Sequence, residues 1–290
     1  MSSGMGFEYD VDLPLLVAAL CADGHEARAV AWDDPEVVWD AFDLALIRST
    51  WDYAARIEEY LAWVDTAARA TRLCNPAQVV RWGCDKRYLP ELAARGVPVV
   101  PTLVVEPGGH REVTHFDLSG PVVVKPVVSA GAQDTARYDT DHRADAVRHA
   151  RALLDQGRAV LVQPYLPLVS EGERALVFFS GAFSHAIRKQ PVLTEPNVVD
   201  NSRDPHPGVT PHQPSPAELR TALAALAAVP GEGAPLYARV DLALGADREP
   251  VVMEVELVEP HLFLDGSPGA LERFTSAVAT ALATAGTPPR

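Results

Sequence analysis

Lysine is almost missing from this chain. Of 25 basic residues in 290, only Lys86, Lys125 and Lys189 are lysine, and arginine holds every other place. Where arginine serves elsewhere, a retained lysine marks a position that needs a compact, rotatable ammonium rather than a planar fork, as phosphate cradles often do. Cysteine is equally scarce. Cys21, Cys74 and Cys84 are odd in number, widely spaced and without a CxxC pair, so a disulfide framework or zinc site is not expected and the thiols should be reduced. No uninterrupted apolar run approaches the ~20 residues of a bilayer span. The opening MSSGMGFEYD has neither the basic nor the apolar part of a signal peptide. These absences predict no membrane partner and a cytoplasmic location. Positive charge is short as well: 25 basic against 39 acidic residues leave −14, which excludes nucleic acid as a main partner. The GxxxxGK[ST] pattern is missing, which excludes an ordinary P-loop nucleotidase. What remains is a globular composition, 48% hydrophobic and 22% charged, long enough for two or three domains.

From Pro14 the segment PLLVAALCADG has helical apolar spacing, bounded by proline near its start and Gly24 at its end. HEARAVAW (25–32) reads as a strand, FDLALIRS (42–49) as a second, and RIEEYLAWVDTAARAT from Arg56 as an amphipathic helix. This alternation predicts an α/β layer with a parallel sheet. A strand normally feeds the first helix of such a layer, yet MSSGMGFEYDVD has no strand pattern, so that strand is absent or replaced. NPAQVVRWGCDKRYLPELAARGVPVVPT (75–102) runs from a turn through two short helices to a strand, with Asp85 and Lys86 opening the second helix. GPVVVKPVVSAGAQDT (120–135) is a strand entering a loop of small residues. A helix near 143–156 and the strand AVLVQPYL follow. Two hairpins come next, separated by a long Pro-rich loop and the helix PAELRTALAALAA, before a terminal amphipathic helix. No internal repeat is present.

Four segments carry chemistry. In VVVKP (122–126) a lysine interrupts an apolar strand, and an ammonium there needs an anion, either a carboxylate or a ligand phosphate. The small residues after it let backbone N–H groups approach an oxyanion. In the hairpin 237–258, Tyr237, Arg239 and Asp241 share one strand face, and Val252, Glu254 and Glu256 share one face of the other. A turn centred on GADREP sets Asp241 against Glu254 and Arg239 against Glu256. Like charges across a ladder call for a compensating cation, and oxygen-only ligation suits magnesium; a solvated edge hairpin is the competing reading. In the hairpin GERALVFFSGAFSHAIRKQP, a turn at Ser180 and Gly181 sets Glu173 against Arg188 on a face of small and apolar residues, with room for a ligand; the competing reading is a cross-strand salt bridge. VQPYLP (162–167) is a strand leaving into a rigid turn whose backbone can hydrogen-bond a flat heterocycle.

Taken in order, these pieces resemble the ATP-grasp superfamily from about Pro14 onward. The resemblance implies an α/β fold, α+β in its ATP-binding part, with an N-terminal parallel α/β domain and two further subdomains gripping ATP. The expected units are 1–78 on the substrate side, 79–166 as the central subdomain and 167–290 with the metal site. It implies that Lys86 and Lys125 hold the ATP phosphates, and that the loop with Ser129, Gly131 and Gln133 covers them. Gln163, Pro164, Tyr165 and Leu166 frame adenine, and Glu173 or Glu171 takes the ribose. Arg188, with Lys189, contacts phosphate and the reacting acyl group. Asp241, Glu254 and Glu256 hold Mg2+, two ions being expected; glutamate stands at 256 where the family commonly has asparagine, which implies tighter metal binding or a pair with Arg239. The wording RSTWDY, VRWGCDKRYL and MEVELVEPHLFL is similar to a branch of small antibiotic-pathway ligases that includes the D-cycloserine cyclo-ligases, which close O-ureido-D-serine into a ring.

The implied chemistry is phosphoryl transfer to a substrate carboxylate, then attack of a nitrogen on the acyl phosphate, with Arg188 or Arg239 stabilising the tetrahedral intermediate. The substrate is a small amino-acid-like carboxylate. Arg48, Ser49, Thr50 and Asp52, at the end of a parallel strand, are the candidates to hold it. His185 and His261 are expected to be structural or supporting, Trp51 and Trp82 to be packing residues, and the loop 194–214 to fold over the reacting group. An intermolecular amino-acid or peptide ligase, a non-catalytic nucleotide-binding regulator and a homo-oligomer stay open.

Overall fold

The computed structural model describes residues 10–109, 117 and 119–285. The question of a strand before the first helix falls on residues 1–9, outside the described residues. Helix α1 (Asp12–Ala22) begins two residues before Pro14, with Asp10 accepting the backbone N–H of Asp12 at 2.9 Å and of Leu13 at 3.2 Å, which caps its first turn. The segment 25–32 forms no strand, contrary to expectation. Its apolar anchor, Trp32, is buried against Tyr60 and Trp63, so an irregular chain satisfies the pattern through one side chain. Among the described residues the parallel sheet has two strands, β1 (Leu44–Leu46) beside β2 (Arg72–Cys74), crossed by α2 (Ile57–Ala70), whose Tyr60, Trp63, Val64 and Ala67 face inward at helical spacing.

Helices α3 (Ala77–Gly83) and α4 (Tyr88–Ala94) follow, then β3 (Leu103–Val105), β4 (Val122–Pro126), β5 (Ala136–Tyr138), α5 (Arg143–Asp155) and β6 (Val160–Pro164). The strands make a four-stranded antiparallel sheet in the order β3-β6-β4-β5. Its core against α5 contains Val122, Val124, Ala146, Ala150 and Val162. A second, five-stranded sheet has the order β11-β10-β7-β8-β9, from β7 (Glu173–Phe179), β8 (Ala182–Lys189), β9 (Thr210–Pro211), β10 (Tyr237–Leu244) and β11 (Pro250–Glu256). On one face of it lies α6 (Pro216–Ala227), opened by a capping box between Ser215 and Glu218. Against another part pack α1 and α7 (Ala270–Ala285), with Phe274 stacked on Phe179 at 4.7 Å.

Tyr88, Leu89 and Leu92 of α4 join the core of the five-stranded sheet with Val240 and Val252. Backbone bonds from Val100 to Val252 and from Val252 to Pro98 tie the following segment there too. By packing, residues 77–100 therefore go with the C-terminal sheet, and the four-stranded sheet begins only at β3. Asn75 clips the N-terminal layer to the same sheet: its side chain donates to the carbonyls of Tyr237 (2.9 Å) and Leu257 (2.8 Å) and accepts from the Leu236 N–H (2.7 Å). Among the described residues no helix is long and apolar enough to cross a membrane.

Candidate active site

Between the two antiparallel sheets lies a cavity of about 820 Å³, within the usual size of a small-molecule site. Strand periodicity delivers its polar groups. Along β4, Val122, Val124 and Pro126 are buried while Val123 and Lys125 turn to the cavity. Lys125 makes no ion pair or hydrogen bond among the described residues, and burial, with Lys86 adding to it, pulls its ammonium below the ordinary lysine value against Glu254. Lys86, just before α4, is buried and donates to the Ser129 carbonyl at 2.6 Å and lies 3.0 Å from Glu254. The loop 129–135 lines the cavity through Ser129, Gly131 and Gln133; Gly131 and Ala132 both take left-handed backbone (φ 58° and 57°), turning this chain over the lysines. Gln163, Pro164, Tyr165 and Leu166 form another wall, with the Gln163 amide donating to Thr102 at 2.8 Å.

The pairing of β10 with β11 is as expected: Arg239 opposite Glu256 and Asp241 opposite Glu254. All four side chains line the cavity. Arg239 donates through Nε (2.8 Å) and Nη2 (3.1 Å) to Asp241, through Nη2 to Glu256, and through Nη1 to the His261 carbonyl (2.9 Å). That occupies four of the five N–H groups a guanidinium carries. One Nη1 hydrogen is left over from these bonds. The expected pair of Glu256 with Arg239 is present.

The second hairpin departs from expectation. A bulge between Val177 and Phe178 shifts the β7–β8 register by one, so Glu173 faces Lys189, and Arg188 faces Arg174. A one-residue slip exchanges strand faces. Arg188 is therefore exposed and outside the cavity, contrary to its expected catalytic and phosphate role, while Lys189 is buried inside, 2.7 Å from Asp241 and 3.3 Å from Glu173. Burial works against the Lys189 ammonium, but Asp241 and Glu173 win and hold its pKa above the ordinary value. Glu171 also lies outside, paired with Arg248 at 2.8 Å, which leaves Glu173 as the cavity acid of the two.

The four substrate candidates do not line the cavity either. Arg48 is 1% exposed and donates to the Pro260 carbonyl at 2.8 Å, with Asp10 and Asp12 each 3.8 Å away. Ser49 donates to Asp10, Thr50 to the Tyr60 hydroxyl at 3.2 Å, and Asp52 binds the Trp32 indole and Arg56. The strand end is filled by its own neighbours. Instead Trp51, Tyr53, Glu259 and His261 line the cavity. Trp82 does pack, stacked on Tyr88 at 4.7 Å. His185, whose Nε2 meets the Leu262 carbonyl at 2.8 Å, is not a cavity residue.

The long loop contributes Pro191, Leu193, Arg203 and His206 to the wall. Asn201 is its clasp: its side chain bonds both ways with Asp134 (2.8 and 3.0 Å), and its carbonyl accepts from Gln133 at 2.9 Å. Arg203 adds a bond to the Thr135 carbonyl, and His206 lies over His261 with ring centres 5.2 Å apart. Thus two loops from different sheets close over one another.

The donor set on β10 and β11 is all oxygen, the chemistry of a magnesium site. Burial above all, reinforced by Asp241 and Glu254 and opposed by Arg239, pushes Glu256 up to about 7. These residues fit a divalent cation, provided Glu254 and Glu256 release Lys86 and Arg239. A partnerless Lys125 beside Lys86 fits a phosphate. Among the described residues only Asp10, Asp12 and His261 bring three ligand atoms within 4.8 Å of one another. Asp12 there accepts the N–H groups of Leu262 (3.0 Å) and Leu264 (2.8 Å), and Asp10 those of α1 and the Ser49 hydroxyl, so this cluster ties α1 to the loop after β11.

The family model of the D-cycloserine synthetase DcsG N-terminal domain matches residues 2–75. The cycloserine biosynthesis protein DcsG of Streptomyces lavendulae is 38% identical over 291 residues, covering 97% of each chain. The crystal structure of D-cycloserine synthetase DcsG superposes with a TM-score of 0.88 at 35% identity, over 97% of this chain and 98% of that one. More distantly, D-alanine–D-alanine ligase from Bacillus anthracis, crystallised with ATP, matches with a TM-score of 0.65 at 17% identity, over 96% of this chain and 93% of its own, which speaks to the fold alone. With the match covering nearly the full length of both chains at 38% identity and the two-sheet cavity in place, the chain belongs to the D-cycloserine synthetase family, on the ATP-grasp fold.

Proposed function

We propose that this protein is an ATP- and Mg2+-dependent cyclo-ligase that closes O-ureido-D-serine into D-cycloserine, ATP ending as ADP and phosphate and the carbamoyl group leaving, with one water consumed, as carbon dioxide and ammonia. The observation that carries the reading is one cavity enclosing all three lysines of the chain together with Asp241, Glu254 and Glu256. In it, Lys86, Lys125 and Lys189 offset phosphate charge, Lys189 taking the part first expected of Arg188. Asp241, Glu254 and Glu256 are the residues to hold metal, two ions being the proposed number. Gln163 to Leu166 frame the base, with Glu173 toward the ribose.

Bound Mg2+–ATP would supply the phosphoryl group that makes the substrate carboxylate an acyl phosphate; the oxygen-bearing ureido nitrogen attacks its carbonyl and loses its proton as phosphate leaves, and water then takes the carbamoyl group off the ring nitrogen as carbon dioxide and ammonia. For an intramolecular closure the chain needs no side-chain nucleophile. Its contribution is orientation and exclusion of water. The Asn201 clasp over residues 133–135 supports that reading, because it shuts the cavity with contacts that a bound nucleotide would reinforce. The experiment is ADP release with O-ureido-D-serine, followed by product mass with and without an added amine. Substrate-dependent ADP and a product whose mass is the same with and without the amine are expected. A product carrying the added amine indicates an intermolecular ligase, and no ADP release with any amino-acid carboxylate indicates a nucleotide-binding regulator.

A further inference from the structure

Five buried or half-buried carboxylates line the cavity, and four are already matched to cations: Glu254 to Lys86, Glu256 and Asp241 to Arg239, and Asp241 and Glu173 to Lys189. Glu259 is the exception. Among the described residues it forms no ion pair, and the donor against its carboxylate is its own backbone N–H. Its backbone is nonetheless held more firmly than that of an ordinary loop residue, because three consecutive carbonyls are each pinned by a side chain. The Glu259 carbonyl accepts from the Trp51 indole at 3.3 Å, the Pro260 carbonyl from Arg48 at 2.8 Å, and the His261 carbonyl from Arg239 at 2.9 Å. Two of these donors come from the N-terminal layer and the third from β10, so the pedestal spans the junction of the sheets. A fixed backbone beneath a carboxylate without a cation is the arrangement of a receptor for a positive group.

We infer that Glu259 recognises the α-ammonium of the amino-acid substrate, and that Arg48 serves as a positioning residue by holding the loop beneath it. This rests on the proposed reaction, whose substrate carries one ammonium and one carboxylate. The carboxylate must meet the phosphate end, among the lysines, which leaves the ammonium for the acid without a cation. Burial, with Glu256 and Glu254 reinforcing and Lys86 opposing, pushes the Glu259 carboxyl up to about 8, so an arriving cation meets a group that gains by ionising against it.

The test is steady-state kinetics of the full-length parent and Glu259→Gln with Mg2+, ATP and O-ureido-D-serine, repeated with the same compound lacking its α-amino group. The variant should raise KM for the amino acid about 10- to 100-fold, the effect of one charged hydrogen bond, with KM for ATP within about twofold. It should also lose most of the parent's preference for the amino-bearing compound. An unchanged amino-acid KM, or a loss confined to kcat, overturns the inference while leaving the reaction intact. A parent that releases no ADP with O-ureido-D-serine overturns the reaction itself. Should Glu259→Gln fail to fold, the parent decides alone: equal KM for the two compounds refutes ammonium recognition.

Discussion

Lys125 and Lys189 share one cavity and predict opposite consequences of the same substitution. Lys125 has no partner among the described residues, and its pKa is lowered chiefly by burial. A lysine with a depressed folded-state pKa binds its proton less well in the fold than in the unfolded chain. Its ammonium therefore destabilises the fold at neutral pH, a penalty relieved as pH rises through the ordinary 10.5. Lys125→Met removes that charge at similar length, so the variant should be at least as stable as the parent at pH 7, with the difference narrowing near pH 10.5. Nucleotide affinity should move the other way: one charged hydrogen bond to phosphate contributes about 1.5–3 kcal/mol, or roughly 10- to 150-fold in Kd. Lys189→Met instead strips a buried cation 2.7 Å from Asp241 and 3.3 Å from Glu173. Asp241 keeps Arg239 but Glu173 keeps no cation, and stability should fall by about 3 kcal/mol. Calorimetric titration with a non-hydrolysable ATP analogue and Mg2+, beside urea unfolding, measures both. A Kd for Lys125→Met within twofold of the parent, or a stability loss matching that of Lys189→Met, would refute the reasoning.

Glu254→Gln is nearly isosteric and should abolish ADP release while unfolding stays cooperative; normal turnover would remove Glu254 from the metal site. Asn75→Ala orphans two buried carbonyls and one N–H at the junction of the N-terminal layer and the five-stranded sheet, and should cost about 3–5 kcal/mol in urea unfolding, a cost below 1 being incompatible with those three bonds. Glu218 is pushed up by burial, but His212 and the backbone and hydroxyl of Ser215 prevail and hold it down to about 2. Its stabilising contribution is complete above its ordinary 4.5 and is lost as pH falls toward 2. The stability difference between the parent and Glu218→Gln should therefore shrink across that interval, and a difference independent of pH there would contradict the assignment.

Both hairpins carry a bulge between the turn and the charged residues. In 237–258 the rungs next to the turn, Leu242 with Val252 and Leu244 with Pro250, are one residue off the symmetry assumed about GADREP, and the bulge between Asp241 and Leu242 restores it, so Arg239 does face Glu256 and Asp241 does face Glu254. In 173–189 counting from the turn set Glu173 opposite Arg188, but the bulge between Val177 and Phe178 shifts the ladder, so Glu173 faces Lys189, the other residue that the resemblance named and one of only three lysines. The strand-end rule likewise pointed to Arg48, a rule that holds for open sheets with a free crevice. Here the crevice is filled by Asp10, Asp12 and the Pro260 carbonyl, the last supplied 212 residues away.

Composition and periodicity alone determined that the chain is an acidic α/β protein and that a small-residue loop follows Lys125, while the family resemblance implied that its scarce lysines share a site with the β10–β11 acids. The first two are local properties, set by a period of two along a strand and by the chemistry of each side chain. Only the tertiary structure decided which residues meet in the cavity: Lys189 rather than Arg188, Trp51 and Tyr53 rather than Arg48 to Thr50, Asn201 over Asp134, and Glu259 without a cation. A ladder bulge and a partner supplied from a distant loop leave no mark on the periodicity of the segment they redirect, because both are fixed by packing between elements rather than within them.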